Sequence, residues 1–344
     1  MTNSQPASAS SVASMLAWRC ASSQPMQATI QSTCCSIDTT MFDNTDGLPG
    51  PVIMKKFGNP VVMRPRYVRG PSVHLPARVA PARPVTSTAT IPADHRSQLD
   101  LVARADGVVA GLEVAERVFE IVGPIEVTVH CSDGDRVRRG DVLLSAVGPT
   151  RALLTAERTA LNLLTHLSGV ATATAQWVDL LGPDGPKVRD TRKTLPGLRA
   201  LQKYAVRCGG GVNHRMSLSD AALVKDNHVV AAGGVAEAFN AVRTMYPGLP
   251  VEVEVDSLEQ LVEVLGAGAD LVLLDNFTPE QMREAVAITS GRALLEASGG
   301  LTLDNAAEVA TTGVDFLAVG ALTHSVKALD IGADLREVTD AAHD

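Results

Sequence analysis

Between Val251 and Gly320 the chain repeats one pattern four times. Val251-Glu-Val-Glu-Val-Asp256, Leu271-Val-Leu-Leu-Asp275, Ala293-Leu-Leu-Glu-Ala297 and Phe316-Leu-Ala-Val-Gly320 are short apolar runs about 21 residues apart. Helix-length segments separate them, opening at Ser257, Thr278 and Thr302, residues whose hydroxyls cap helix N-termini, with Pro279 at the first position of the second helix. Apolar strands alternating with helices imply a parallel sheet covered on both faces. Similar runs at Lys187 to Asp190 and Ala222 to Lys225 extend the pattern upstream, which favours an α/β barrel or part of one. In such a barrel the active site lies at the carboxyl ends of the strands.

That rule converts spacing into a map. Glu254, Asp275 and Glu296 fall 21 residues apart near successive strand ends, so at least the first two are expected to face one mouth. Arg192 and Lys193, then Lys225 with Asp226 and Asn227, follow earlier strands and face the same mouth. Carboxylates beside cations suit a substrate that brings Mg²⁺ and phosphate together. The alternative is that Glu252 and Glu254 are simply the polar positions of an alternating strand. Ala297-Ser-Gly-Gly300 and Val319-Gly-Ala321 follow the last two strands, where glycines let backbone N–H groups approach a phosphate at a helix N-terminus; taken singly, each is also ordinary turn chemistry.

Residues 189 to 228 hold eight Lys/Arg and two His against three Asp, in a chain of net charge -8. A local excess of cations around predicted strand ends suggests a pocket for a small polyanion carrying phosphate and carboxylate, rather than a nucleic-acid face. Within it, Gly209-Gly-Gly-Val-Asn-His-Arg215 combines a costly triple glycine with His214 and Arg215, which points to a tight turn or a close approach to ligand. Glu157-Arg158-Thr159 lies early in a long helical pattern, where a surface salt bridge is the plain reading.

The 344 residues are 45% hydrophobic and 3% aromatic, enough for a large aliphatic core and about two domains. The acidic balance disfavours nucleic acid and anionic membranes as partners, and no run approaches the roughly 18 apolar residues of a membrane span. Five scattered cysteines form no disulfide framework or zinc spacing, so a reducing cytosol is the simplest setting. Residues 1 to 40 have a single Arg19 and no continuous apolar core, which matches neither a transit nor a signal peptide. From Gly47 to Ala93 acidic residues are absent and prolines abundant, which predicts an extended arm without regular helix or central strand. Order is expected from about Thr86. Leu99 to Ala103 and Val108 to Leu112 read as strands joined by an Ala-Asp-Gly hairpin turn. A helix with Val114, Val118 and Ile121 follows, then strands at Ile125 to Cys131 and Val142 to Val147, and a long helix from Arg151 to Leu181 that joins the two domains.

Taken together, Glu157-Arg-Thr-Ala-Leu-Asn-Leu-Leu-Thr-His-Leu-Ser-Gly169, Asp190-Thr-Arg-Lys-Thr-Leu-Pro-Gly197, Gly209-Gly-Gly-Val-Asn-His-Arg215, Lys225-Asp-Asn-His228, Val253-Glu254, Leu274-Asp275-Asn276 and Ala297-Ser-Gly-Gly300 closely resemble the quinolinate phosphoribosyltransferases. The resemblance spans roughly residues 86 to 335, in family order. It implies a type II phosphoribosyltransferase fold: an N-terminal α/β open sandwich over 86 to 167 and an incomplete parallel α/β barrel over 168 to 321, with 322 to 344 able to pack back on the sandwich; residues 1 to 85 precede it and are expected, from composition, to be a poorly ordered Ser/Ala- then Pro/Arg-rich extension. It implies a homodimer or multiple of dimers, and a reaction of quinolinate with 5-phosphoribosyl 1-pyrophosphate and Mg²⁺ that gives nicotinate mononucleotide, pyrophosphate and CO₂ in NAD biosynthesis. By motif, Arg192, His214 and Arg215 hold the quinolinate carboxylates, joined by Arg158 of the neighbouring subunit. Thr191 lies beside them. Lys193 and Lys225 lie between the substrates, Ser298, Gly299, Gly300, Val319, Gly320 and Ala321 cradle the 5-phosphate, and Glu254 and Asp275 hold ribose hydroxyls or Mg²⁺.

The Pro/Arg-rich stretch ending Arg83-Pro84-Val85-Thr86 departs from the acidic helix and Gly-Asp-containing segment with which relatives usually begin; an incorrect start site or an upstream reading-frame change would account for it. Two other readings stay open at this point. One is a related phosphoribosyltransferase for another aromatic acid, of the molybdenum-operon type; the other is a catalytically inactive binding or assembly subunit.

Overall fold

The computed structural model describes residues 53–56, 59–62 and 84–338. The chain divides into two units, residues 1–80 and 81–344. In the first, β1 (Ile53–Lys56) and β2 (Asn59–Val62) form an antiparallel pair, with Ile53 opposite Val62. The remainder of the predicted arm, residues 1–52, 57–58 and 63–83, lies outside the described residues.

The second unit begins with α1 (Val85–Thr90), which corrects the expectation of no regular helix before Ala93. Its six residues contain no proline and lie between Pro84, at the N-cap, and Pro92, so the prolines bound the helix rather than interrupt it. Then come β3 (Arg96–Ala103), β4 (Gly107–Val108), α2 (Leu112–Val122), β5 (Glu126–Val129), β6 (Arg136–Val137) and β7 (Val142–Pro149). The predicted hairpin across Ala105-Asp106-Gly107 does not form. β3 pairs with β7, whereas β4 pairs with β6. The run from Val108 to Leu112 stops as a strand because Gly111 adopts φ 100 and Asp133 accepts from the N–H groups of both Gly111 and Leu112, opening α2 instead.

The 32-residue α3 (Thr150–Leu181) links two cores. Its first half buries Leu153, Ala156, Leu161 and Leu164 with Leu99, Leu101, Phe119 and Leu144 of the N-terminal module. Its second half buries Leu167, Val170, Ala171 and Trp177 in the core that follows. Burial of large aliphatic side chains at about 1.5–3 kcal/mol each makes this helix a shared structural wall.

That second core belongs to six parallel strands: β8 (Lys187–Arg189), followed by α4 (Arg199–Cys208); β9 (Ala222–Val224), followed by α5 (Asp226–Ala232) and α6 (Val235–Met245); β10 (Val251–Val255) with α7 (Leu258–Gly266); β11 (Leu271–Asp275) with α8 (Pro279–Thr289); β12 (Leu294–Ser298) with α9 (Leu303–Ala310); and β13 (Phe316–Ala318) with α10 (Ala321–His324). Their order is β8-β13-β12-β11-β10-β9, so the first strand pairs with the last and the seam lies between β8 and β9. This is the incomplete barrel expected from the repeat. Ser257, Thr278 and Thr302 accept from Gln260, Gln281 and Asn305 N–H groups and cap the three predicted helices. Finally β14 (Ile331–Glu337) runs antiparallel to β3, completing the order β14-β3-β7-β5.

Candidate active site

Strand register sets the depth of each interior side chain. Asp275, Ser298, Ala318 and Arg189 lie in one row across β11, β12, β13 and β8. Glu254, Leu273, Glu296 and Phe316 form the row beneath. Equal spacing along the chain therefore does not mean equal height. Asp275 is one layer nearer the mouth than Glu254 and Glu296, because strands in a barrel are staggered as well as repeated. Glu254 and Asp275 are partly exposed, and Glu254 is bonded to the Lys225 ammonium. Glu296 is fully buried and points into the barrel interior, not the mouth.

The cationic excess of residues 189 to 228 separates into structural and available charges. Lys203 and Asp190 are both fully buried and paired. Asp190 also accepts from the His214 backbone N–H at 2.8 Å and from the Asn213 amide, while Lys203 Nζ donates to the His214 carbonyl at 2.9 Å. One buried ion pair thus joins the Asp190–Arg192 turn, α4 and the Gly209–Arg215 segment. Arg199 donates to the carbonyls of Arg192 and Met216, both at 3.3 Å, and Arg207 donates to Asn213 Oδ1 at 2.6 Å. Among the described residues Arg192, Lys193 and Arg215 pair with no carboxylate, and Lys225 pairs with the partly exposed Glu254. Arg192 keeps a buried Nε that bonds to no protein group among the described residues. Burial, then the charge of Arg192, pull the Arg215 guanidinium below its usual pKa range.

The triple glycine serves packing as well as turning. A side chain at Gly209 would collide with the Ala171 carbonyl of α3 and one at Gly211 with Thr174, so only bare backbone lets the segment lie against α3. Val212 then bridges to Arg189 in parallel at the open seam and directs His214 inward. Its Nε2 is 2.6 Å from Glu252, while its Nδ1 accepts the Arg215 backbone N–H at 2.7 Å. Glu252, with 3% of its side chain exposed, is therefore an interior partner rather than an idle polar position.

Beneath His214, Arg189 pairs with Glu296 and stands 3.9 Å from Glu252. His214, Glu252 and Glu296 offer ligand atoms within 4.8 Å of one another, a set that could suit a metal. Arg189 already supplies the cation there, and both His214 nitrogens have protein partners. One guanidinium faces two carboxylates, and burial, then the charge of Glu252, push the Glu296 carboxyl up to about 7. Between pH 4.5 and 7 the native state thus keeps a proton that the unfolded chain has released, so stability falls as pH rises through that window, by roughly 2–4 kcal/mol at most. Glu296→Gln is expected to flatten the decline of Tm between pH 5 and 7.5. Parallel Tm profiles for wild type and variant would contradict this assignment.

The two glycine loops stand together above the strands. Gly299 has φ +87, and a side chain there would strike Asn276, whose own φ is 58. Asn276 donates to Asp275 at 2.9 Å, so the β12 loop lies against the Asp275 carboxylate. The Cβ position of Gly320 lies 3.3 Å from Lys193 Cδ and 3.2 Å from His324 Nε2. Thr323 fixes this loop by donating to the Lys193 carbonyl at 2.7 Å. Thr191 Oγ1 accepts the Lys193 N–H at 3.0 Å, while Val319 is buried and holds the Arg189 carbonyl at 2.9 Å. Ser298 is half-buried; Gly300 and Ala321 are exposed. Sequence reading passed over His324, because one histidine in a short helix carries no periodic signal. Arg158 is not among these groups: its side chain is 73% exposed and reaches only Glu157 among the described residues, at 3.5 Å.

Comparison with known proteins gives a consistent result. Residues 85–168 match the family model "Quinolinate phosphoribosyl transferase, N-terminal domain" and residues 170–334 the corresponding C-terminal domain. The carboxylating nicotinate-nucleotide pyrophosphorylase of Mycobacterium leprae is 55% identical over 257 residues, covering 73% of this chain and 90% of the relative. A probable enzyme of the same name from Bacillus subtilis is 41% identical, covering 70% and 84%. The crystal structure of NadC from Streptococcus pyogenes superposes with TM-score 0.71 at 42% identity, covering 74% of this chain and 91% of that one.

Proposed function

The chain belongs to the quinolinate phosphoribosyltransferase family, and on that premise we propose that it transfers the phosphoribosyl group of 5-phosphoribosyl 1-pyrophosphate to quinolinate, releasing CO₂ and pyrophosphate and forming nicotinate mononucleotide. One observation carries the reading to this site: Arg192 keeps a buried Nε that bonds to no protein group among the described residues, and Arg215, half-buried, pairs with no carboxylate among them. Two such guanidinium groups are stabilised together by a dianion, and quinolinate presents two adjacent carboxylates.

In the reaction the pyridine nitrogen attacks the anomeric carbon as the bond to pyrophosphate breaks. The quaternised ring then accepts the electron pair of the C2–carboxylate bond; CO₂ leaves and C2 takes a proton from solvent. Arg192 and Arg215 orient the ring for attack, which lowers the entropic part of the barrel-bound encounter. Glu254 and Asp275 face the ribose, where positive charge grows in the transition state. Lys193 and Lys225 offset the negative charge between the substrates, and the loops at Ser298–Gly300 and Val319–Ala321 receive the 5-phosphate. Among the described residues no third His, Cys, Asp or Glu groups with Glu254 and Asp275, which fits a Mg²⁺ ion that these two carboxylates would hold together with substrate oxygens rather than in a protein cage. When bound, that ion would neutralise pyrophosphate charge.

Arg158 is exposed and bonds only to Glu157 among the described residues, so we assign it to a second subunit's mouth in a homodimer. Among the described residues no helix is long and apolar enough to cross a membrane, and Cys131 and Cys208 are free thiols; we place the reaction in the cytosol.

Formation of nicotinate mononucleotide and pyrophosphate from the two substrates with Mg²⁺, followed by phosphorus NMR, tests the assignment; recovery of unchanged substrates would refute it. Glu254→Gln should lower kcat about 100-fold, roughly 2.7 kcal/mol, with quinolinate affinity little changed. An unaltered kcat would remove the electrostatic role.

A further inference from the structure

We propose that Glu252 is a positioning residue: by holding the proton of His214 on Nε2 it fixes the direction in which Arg215 presents its guanidinium. The proposal rests on the assignment of Arg215 to quinolinate binding, and it concerns a residue that makes no contact with the mouth itself.

The geometry leaves His214 one arrangement. Its Nδ1 accepts the Arg215 backbone N–H, so that nitrogen carries no proton. The ring proton is then on Nε2, 2.6 Å from the Glu252 carboxylate, which can only accept. With the opposite tautomer, Nδ1–H would face the Arg215 N–H, donor against donor, and the segment would have to turn. The backbone of His214 cannot absorb that turn, since Asp190 and Lys203 hold its N–H and carbonyl from the buried side. Strain would pass to Arg215, whose guanidinium makes one bond among the described residues, from Nη1 to the Ala221 carbonyl at 3.0 Å.

Glu252 is itself held in place. It lies on β10 between Val251 and Val253, buried at 5% and 0% exposure, and its side chain shares the barrel interior with Arg189 and Glu296. Arg189 pairs with Glu296 and stacks 4.6 Å over the Phe316 ring. A rigid charged floor therefore presents an acceptor to one side of His214. The same floor explains how His214 differs from Arg192 and Arg215 although all three sit in the substrate motifs: its two nitrogens serve the protein.

The test compares Glu252→Leu with Glu252→Gln in the full chain. Leucine cannot accept from Nε2–H, whereas the glutamine carbonyl can. Glu252→Leu should raise the quinolinate KM about 10–50-fold while the phosphoribosyl pyrophosphate KM stays within about twofold; Glu252→Gln should stay within about threefold of wild type for both. A wild-type quinolinate KM in Glu252→Leu, or equal damage in both variants, would overturn the proposal. Long-range proton–nitrogen NMR of ¹⁵N-histidine-labelled protein provides a readout that needs neither turnover nor a folded variant. Wild-type His214 should show the Nε2–H tautomer at pH 7.5, and an Nδ1–H or doubly protonated ring would overturn the proposal. If the wild type proved inactive on quinolinate, the activity assignment would fail while the tautomer measurement still decided the role of Glu252.

Discussion

Arg215→Ala is expected to raise the quinolinate KM by about two orders of magnitude, roughly 2.7 kcal/mol, and to leave the phosphoribosyl pyrophosphate KM near that of wild type. The reason is specific to its surroundings. Burial and the charge of Arg192 both act against the charge of Arg215, and a dianionic ligand would offset both. Removing the guanidinium takes away charge-assisted bonds to one carboxylate and leaves that carboxylate desolvated without a partner. Arg215→Lys should recover less than tenfold of the loss, because a point charge on a flexible stem cannot reproduce the fork. Steady-state kinetics varying each substrate in turn would decide; a quinolinate KM close to wild type in Arg215→Ala would show that the carboxylates are held elsewhere.

The second large effect is on folding as well as activity. Lys203→Met should destabilise the protein by about 3–5 kcal/mol, or about 10 °C in Tm, because it strands Asp190 in the interior without its counter-ion. The pKa of Lys203 is pulled down chiefly by burial, so the pair is held at a desolvation cost that the additional bonds to His214 and Asn213 offset. Adding Asp190→Asn should restore part of the Tm, since a neutral amide needs no counter-ion, but not the activity, since the Asp190–Arg192 turn and the Gly209–Arg215 segment would no longer share one anchor. Calorimetry on the single and double variants checks this. A double variant less stable than Lys203→Met alone would mean that hydrogen bonding by the Asp190 carboxylate, not charge pairing, dominates at this position.

The barrel could be read from the chain because its signal is periodic and local. Strands near 251, 271, 293 and 316 recur with helix caps between them, and each cap needs only a hydroxyl and a backbone N–H three residues on. The mouth residues Arg192, Lys225, Glu254 and Asp275 followed from the rule that chemistry sits at strand ends. Other parts depend on contacts that sequence distance hides. The pairing of Asp190 with Lys203 looks from the chain like two surface charges. Glu296 shares its spacing with Glu254 and Asp275, yet it is buried against Arg189, whereas Glu254, in the same row, pairs with Lys225 and stays partly exposed. Val108 to Leu112 has the composition of a strand, and it is Asp133, more than 20 residues away in sequence, that turns its end into a helix start. His214 stood out in the sequence beside Arg215, but its engagement by Glu252 and by the next backbone N–H did not.

The central claim is that the cationic mouth of this barrel holds a pyridine with two carboxylates while a phosphoribosyl group is transferred to it. Release of ¹⁴CO₂ from quinolinate labelled in its 2-carboxylate, in the presence of 5-phosphoribosyl 1-pyrophosphate and Mg²⁺, measures this directly. Release is expected in equal amount to the pyrophosphate formed, with little or no mononucleotide when nicotinate replaces quinolinate. Equal use of nicotinate, or pyrophosphate formation without CO₂, would contradict it.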